Sequence, residues 1–233
     1  LAENPLLPHA QLRALYALMV ETRKLEKRGK SSAGAREALL AATTIHLQAG
    51  DLISAAPGDE TAEKLAPAGK NPKLAGGAAG VLSAAASERL AVCAAAARGV
   101  QASATAPGEM GLVLAFAQTG AVEPGWEAAL TWALRADLPL VLAVADASGR
   151  KAARKGAMDW AGVTKLARRT KLPVISVDGE DAVAIYRVMQ ECVLRARLGL
   201  GPAVIWGVMG AEAKAPVARL RSYMRVRGIA VSA

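Results

Sequence analysis

Few residues in this chain carry nucleophilic or metal-binding chemistry. It has two histidines, His9 and His46, and two cysteines, Cys93 and Cys192. Two histidines in separate segments cannot build a zinc-type cluster. His46 lies within a helical pattern, where a single imidazole packs or caps. The cysteines sit far apart in apolar helical patterns and read as small buried hydrophobes of a reducing compartment, not as a disulfide or a metal site. The Gly76-Gly77 pair leaves room for a phosphate but has no further donor pattern around it. The polar residues best placed for ligand work fall at Gln118-Thr119-Gly120-Ala121 and from Asp146 to Arg150, each just after an apolar run. In parallel sheets ligands sit at the carboxyl ends of strands, so these two turns are where chemistry belongs.

The elements that position those turns form one unit. Leu112 to Ala117 is a buried strand, Gly125 to Ala136 an amphipathic helix and Leu138 to Ala145 a second buried strand, which together make a βαβ unit of a parallel sheet. A long helical pattern precedes it from Pro8 to Arg28, with Leu12, Leu15, Tyr16, Met19 and Leu25 at steps of three and four. Ala35-Arg36-Glu37-Ala38 leads a second helix to the Gly50-Asp51 turn. Pro57-Gly58 reads as a surface turn and Pro67 to Gly80 as a loop. Val81 to Arg98 reads as an Ala-rich helix suited to close packing, and Gln101 to Glu109 as a connection. After the βαβ unit come a basic loop (Arg150 to Lys155), a short helix (Asp159 to Thr170), a third strand (Leu172 to Gly179), a helix (Asp181 to Leu198), a fourth strand (Ala203 to Val208) and a closing helix. The expected fold is α/β: a parallel sheet flanked by helices in one domain over residues 1–233. Its helical N-terminal part covers about 8–50, the βαβ core about 111–208 and the closing helix about 215–228.

With 233 residues, 53% of them hydrophobic, the chain can bury a full core. The formal net charge of +9 gathers at Arg23 to Lys30, Arg150 to Lys171 and Arg219 to Arg227. Such a balance favours acidic partners. Aromatic residues make up only 3%, and no basic run interleaves with stacking rings, which argues against nucleic acid and for solvated helix faces. No apolar run reaches membrane-span length and no signal peptide opens the chain, so a cytoplasmic protein is expected.

Several fixed positions resemble the alpha subunit of the thiamine-diphosphate-dependent dehydrogenase component of 2-oxo acid dehydrogenase complexes. They are Leu12, Leu15, Tyr16, Met19 and Arg23 in the opening helix, then Glu37-Ala38 and Gly50-Asp51. The frame continues with Gly120-Ala121, Gly125, Ala129-Leu130 and Leu138-Pro139. The match is fullest at Pro173-Val174, Val177-Asp178-Gly179, Asp181, Ala196-Arg197, Gly199 and Gly201-Pro202, and Pro216, Arg219 and Leu220 resemble the start of the family's closing helix. The resemblance implies the thiamine-diphosphate-binding fold and a cofactor rim at Gln118, Thr119, Gly120, Asp146, Ala147 and Gly149.

It also implies what is missing. The family's metal-ligating Asp and Asn fall on Thr119 and Ala147, its diphosphate-binding Tyr-Arg pair on Pro57-Gly58, and its His-bearing loop is cut out between Val208 and Ala215. Magnesium requires near-octahedral oxygen ligands, usually with a carboxylate. Asp146, or Arg150 and Lys151 on the phosphates, are the replacements within reach. The resemblance therefore implies a non-catalytic, structural or regulatory relative with no catalytic residue. The alternatives are an active 2-oxo acid dehydrogenase subunit that holds thiamine diphosphate and Mg²⁺ in a remodelled site and, on charge alone, a nucleic-acid-binding protein. Expected partners are a second copy or a beta-type subunit, since the family's ring-activating glutamate comes from the beta chain.

Overall fold

In the computed structural model, residues 7–28, 36–55, 59–65, 79–82, 84–85, 87–106, 110–147, 157–210 and 216–230 are described. The strands are β1 (Leu52–Ser54), β2 (Gly80–Val81), β3 (Val113–Gln118), β4 (Leu140–Asp146), β5 (Val174–Asp178) and β6 (Ala203–Val208). The helices are α1 (His9–Arg28), α2 (Glu37–Thr44), α3 (Glu60–Leu65), α4 (Arg89–Ser103), α5 (Trp126–Arg135), α6 (Trp160–Thr170), α7 (Ala182–Arg197) and α8 (Pro216–Val226). All six strands pair in parallel in the order β2-β1-β3-β4-β6-β5. The α/β class with a parallel, helix-flanked sheet is what the sequence pattern called for.

Alternation along the central strands divides the core. Leu114 and Phe116 of β3, Val141 and Ala143 of β4 and Ile205 of β6 join a cluster built with α1, α2, α7 and α8. Their neighbours Val113 and Ala115, Leu142 and Val144, and Val204 and Trp206 join a second cluster built with α4, α5 and α6. Side chains at successive strand positions point to opposite faces, so a strand covered on both sides reads as one unbroken apolar run. Connections that step one way along the sheet use α4, α5 and α6. Those that step back, β1 to β2 and β5 to β6, use α3 and α7 on the opposite face, as right-handed crossovers require.

The pattern anticipated four strands, and the structure adds β1 and β2. These have three and two residues, too few to show periodicity, although Ile53 is fully buried. Val81, expected to open the Ala-rich helix, instead lies in β2. That helix, α4, starts at Arg89 and continues through Gln101 to Ser103, where a connection was expected. Cys93, Ala94 and Ala97 on it are spent against β3 and α5 within the chain.

At the amino end of the sheet, Asp51 is fully buried. Its carboxylate accepts the backbone N–H of Gln48 (2.7 Å) and of Leu112 (2.9 Å). It also accepts both terminal nitrogens of Arg197, at 3.2 and 2.7 Å. Arg197 Nη1 donates in addition to the Met110 carbonyl at 2.9 Å. The turn before β1, the entry to β3 and the last turn of α7 are thereby tied at one point. Gly111 permits the approach, since a Cβ there would lie 2.9 Å from the Gly50 carbonyl oxygen. Removing one partner of a buried pair strands the other charge, at a cost of about 3–5 kcal/mol. Arg197→Ala is expected to lower the unfolding free energy in urea by that amount, and a loss below about 1 kcal/mol would show that Asp51 is satisfied by its backbone donors alone.

Candidate functional site

The strand order leaves three places where neighbouring strands send their chains to opposite faces: between β2 and β1, between β1 and β3, and between β4 and β6. At such switch points a crevice opens outside the carboxyl ends and receives ligands in open α/β sheets. The last two are spanned here by side chains of the protein itself.

Between β1 and β3 the occupant is Arg89, the first residue of α4. Its Nε donates to Glu123 Oε1 at 3.2 Å, its Nη2 donates to the same oxygen, and its Nη1 reaches the Ser54 carbonyl at the end of β1 at 3.4 Å. The Arg89 and Glu123 side chains are 0% and 3% exposed. One turn along α4, burial pushes the Cys93 thiol above its usual range, partly offset by the Ser54 hydroxyl. No reactive thiolate is formed there.

Between β4 and β6 the bridge is Asp146, the last residue of β4. Thr119 Oγ1 donates to its Oδ1 at 3.1 Å, and Trp206 Nε1 donates to its Oδ2 at 2.9 Å. Trp206 is buried in β6, with the half-exposed Trp160 ring, at the start of α6, centred 5.3 Å away. Backbone bonds fasten the same point, from Thr119 N to the Ala145 carbonyl (3.0 Å) and from Met209 N to the Asp146 carbonyl (2.9 Å). Asp159 caps α6 by accepting Gly162 N at 2.7 Å.

Of the expected rim, the structure thus joins Thr119 to Asp146. Gln118 lies at the end of β3 opposite Ala145, Gly120 turns the chain with φ +83°, and Ala147 is exposed just past β4. Gly149, Arg150 and Lys151, with Pro57-Gly58 and Gly76-Gly77, fall outside the described residues. Arg89, Glu123 and Trp206 were not singled out from the sequence. The available signals were one arginine opening an Ala-rich helix and one indole in an otherwise aliphatic strand, where a polar N–H needs a partner.

A third group lies on the α1 and α2 side of the same rim. Arg36, just before α2, pairs bidentately with Asp59 (2.6 and 3.1 Å) and reaches Glu26 of α1 at 3.2 Å. Burial raises the Glu26 carboxyl to about 7 against the pull of Arg36, with Glu37 and Asp59 adding repulsion. Burial likewise raises Glu37, with Arg23 opposing and Glu180 reinforcing the shift. Glu180 accepts the Gly210 N–H at 3.1 Å. The remaining candidates are quiet. His46 stacks on Tyr186 (4.3 Å between centroids) and is lowered by burial to about 4, a neutral packed ring. Cys192 is buried, and its thiol is pushed up to about 12.

Thiamine diphosphate and Mg²⁺, the groups the family resemblance implies, do not fit this donor set. Thr119 offers a hydroxyl and Ala147 a methyl where the resemblance requires carboxylate and amide oxygens. Among the described residues the Asp146 carboxylate already accepts from the Thr119 hydroxyl and the Trp206 indole. Among the described residues no group of three or more His, Cys, Asp or Glu is placed to hold a metal ion.

Neither a protein-family model nor a curated protein matches the chain. Solved structures do. One from Mycobacterium smegmatis, assigned as a thiamin diphosphate-dependent enzyme, superposes with a TM-score of 0.50 at 12% identity, over 77% of this chain and 32% of its own. The fold is that of the thiamin-diphosphate-binding enzymes. Benzoylformate decarboxylase from Polynucleobacter necessarius aligns at 11% identity with a TM-score of 0.48, over 79% of this chain and 34% of its own. The chain spans about a third of the length of these structures. No helix among the described residues is long and apolar enough to cross a membrane.

The acidic group at Arg36 sets a pH dependence. The Glu26 carboxyl rises from 4.5 to about 7 on folding, so the folded protein binds the extra proton in that interval. Its contribution to stability is complete below pH 4.5 and is lost as pH climbs through 7. Glu26→Gln, neutral at every pH, should match the parent at pH 4.5 and be the more stable of the two at pH 8. Paired denaturant melts check this; a variant weaker than the parent at pH 8 alone would mean that the ionised Glu26–Arg36 pair is net stabilising.

Proposed function

We propose that this chain is a non-catalytic relative of the alpha-type subunit of 2-oxo acid dehydrogenases, which keeps the thiamin-diphosphate-binding fold as a structural or regulatory partner. The observation that carries the reading is the Asp146 carboxylate, bound internally by the Thr119 hydroxyl and the Trp206 indole. Asp146 is the one carboxylate at the two strand ends where the resemblance places metal ligands. The buried Arg89–Glu123 pair supports the same reading from the β1/β3 switch point, because a diphosphate entering there would compete with Glu123 for the guanidinium.

The residues at this rim therefore act on one another. Trp206 holds Asp146 from the second core cluster, Thr119 holds it from the end of β3, and β3, β4 and β6 are locked at their carboxyl ends. The proposed partner is a second copy or a beta-type subunit, since an alpha-type chain never contains the ring-activating glutamate.

Isothermal titration with thiamine diphosphate and Mg²⁺ tests the proposal. The unmutated chain is expected to show no binding, and Thr119→Asp with Ala147→Asn to restore it if the frame persists. Binding by the unmutated chain at about 1 μM or tighter, worth roughly 8 kcal/mol, would overturn the proposal and favour the active alternative, with Asp146 as the replacement ligand.

A further inference from the structure

Arginines on the outer surface of this protein are distributed unevenly. From Pro216 to Ala230 the sequence holds four arginines, Arg219, Arg221, Arg225 and Arg227, and no Asp or Glu. From Pro8 to Val20, the first part of α1, it holds Arg13 and again no acid. The structure brings these two stretches side by side. Arg13 Nε donates to the Ala230 carbonyl at 3.3 Å, and Arg221 donates to the Tyr16 hydroxyl through Nε at 2.8 Å and also through Nη2. Arg227 lies over the Tyr223 ring with its guanidinium carbon 3.7 Å from the centroid. Among the described residues, acidic side chains pair with α8 in its first turn, where Asp178 (2.6 Å) and Asp181 (2.9 Å) take up Arg219.

We infer that the outward face of α8, with the adjoining half of α1, is a docking surface for an acidic, helical protein segment. Arginines in the last turn of a helix complement its dipole, which accounts for Arg225 and Arg227. It does not account for Arg13 or for Arg221, which stands mid-helix. Both are held in fixed orientation, so less side-chain entropy is lost when a carboxylate pairs with them, and the planar guanidinium suits carboxylates bidentately.

Two features favour a polypeptide over a nucleic acid. The rings are unavailable for base stacking, because Tyr16 is 5% exposed and Tyr223 is covered by Arg227. The centre of the outward face is small and apolar rather than cationic: Ala218, Ser222 and Val226 recur at four-residue spacing, all exposed, with Val226 at 71%. An apolar stripe edged by arginines matches a helix whose own apolar stripe is edged by glutamates. The inference stands independently of the cofactor question, since none of Arg13, Arg221, Arg225 and Val226 is among the residues bonded to Asp146.

The test is fluorescence anisotropy with a labelled acidic amphipathic peptide, about 20 residues of Glu, Ala and Leu and long enough to be helical alone. A single-stranded oligonucleotide of similar length is run in parallel. The chain is expected to bind the peptide, more weakly as salt rises. Arg221→Gln with Arg225→Gln should weaken binding at least about tenfold, and Val226→Asp should do the same. Lys165→Gln with Arg168→Gln on α6, which removes equal charge from another face, should change it by less than about twofold. Equal weakening by both double variants would reduce the effect to net charge and overturn the inference. Tighter binding of the oligonucleotide through the same arginines would replace the protein partner with nucleic acid, and absence of peptide binding at low salt would end the proposal. Circular dichroism on each variant, all substituted at exposed positions, separates lost binding from lost folding.

Discussion

The sheet depends on a charge that it has to bury. Asp51 stands where the chain turns from α2 into β1, at the amino edge of a parallel sheet whose strands must all start in register although their connections approach from both faces. An ionised carboxylate without partners at that depth would cost several kcal/mol. Here it has four donors, two from backbone and two from Arg197. The four donors come from three separate parts of the chain: the turn itself, the start of β3, and the last turn of a helix 146 positions away. Buried ion pairs often stabilise no more than well-packed apolar residues of similar volume. In this one, the native register of β1 against β3 puts Leu112 N and Arg197 on the same carboxylate.

The carboxyl ends use the same device to a different effect. At the amino end a buried pair ties the strand starts; at the carboxyl end Arg89–Glu123 and Thr119–Asp146–Trp206 span two of the switch points, β1/β3 and β4/β6, where the topology would otherwise admit a ligand. A binding site keeps polar groups with unused hydrogen-bonding capacity directed into a cleft, and the protein meets the desolvation cost until the ligand arrives. A carboxylate that already accepts a hydroxyl and an indole N–H has gained that energy internally. A dication at this rim would compete for the Asp146 carboxylate with the Thr119 hydroxyl and with the indole N–H of Trp206, which is 1% exposed. The two crevices are closed by unrelated residues on unrelated elements, so closing one does not follow from closing the other. That independence gives the non-catalytic proposal its physical weight.

How much of this the sequence could show was decided by scale. Val113 to Gln118 and Leu140 to Asp146 are long enough, and buried on both faces, to read as unbroken apolar runs, and the Asp181 and Asp159 caps mark helix starts plainly. β1 and β2 exist only because a neighbour offers them hydrogen bonds, and nothing in Leu52-Ile53-Ser54 or Gly80-Val81 forces a strand by itself. The Ala-rich helix was legible as a helix but not in its limits, since Ala, Ser and Val up to position 88 carry no stop signal. At the rim, the departures from the resembled family at Thr119 and Ala147 were visible one residue at a time. The gains were not, because Trp206 and Asp146 are separated by 60 positions and Arg89 and Glu123 by 34, and only the sheet order makes each pair neighbours.

The Gly50-Asp51 turn and the Ala196-Arg197 helix end also entered the sequence comparison as separate matches to one family, with no stated relation between them. The structure shows them to be the two halves of one ion pair. Such matches constrain each other: an acid at position 51 without a base at 197 would destabilise the fold rather than merely weaken a resemblance. Matches of this kind therefore report on architecture. Thr119 and Ala147 stand under no such mutual requirement with a distant charge, so they bear on the proposed absence of cofactor binding and not on the architecture.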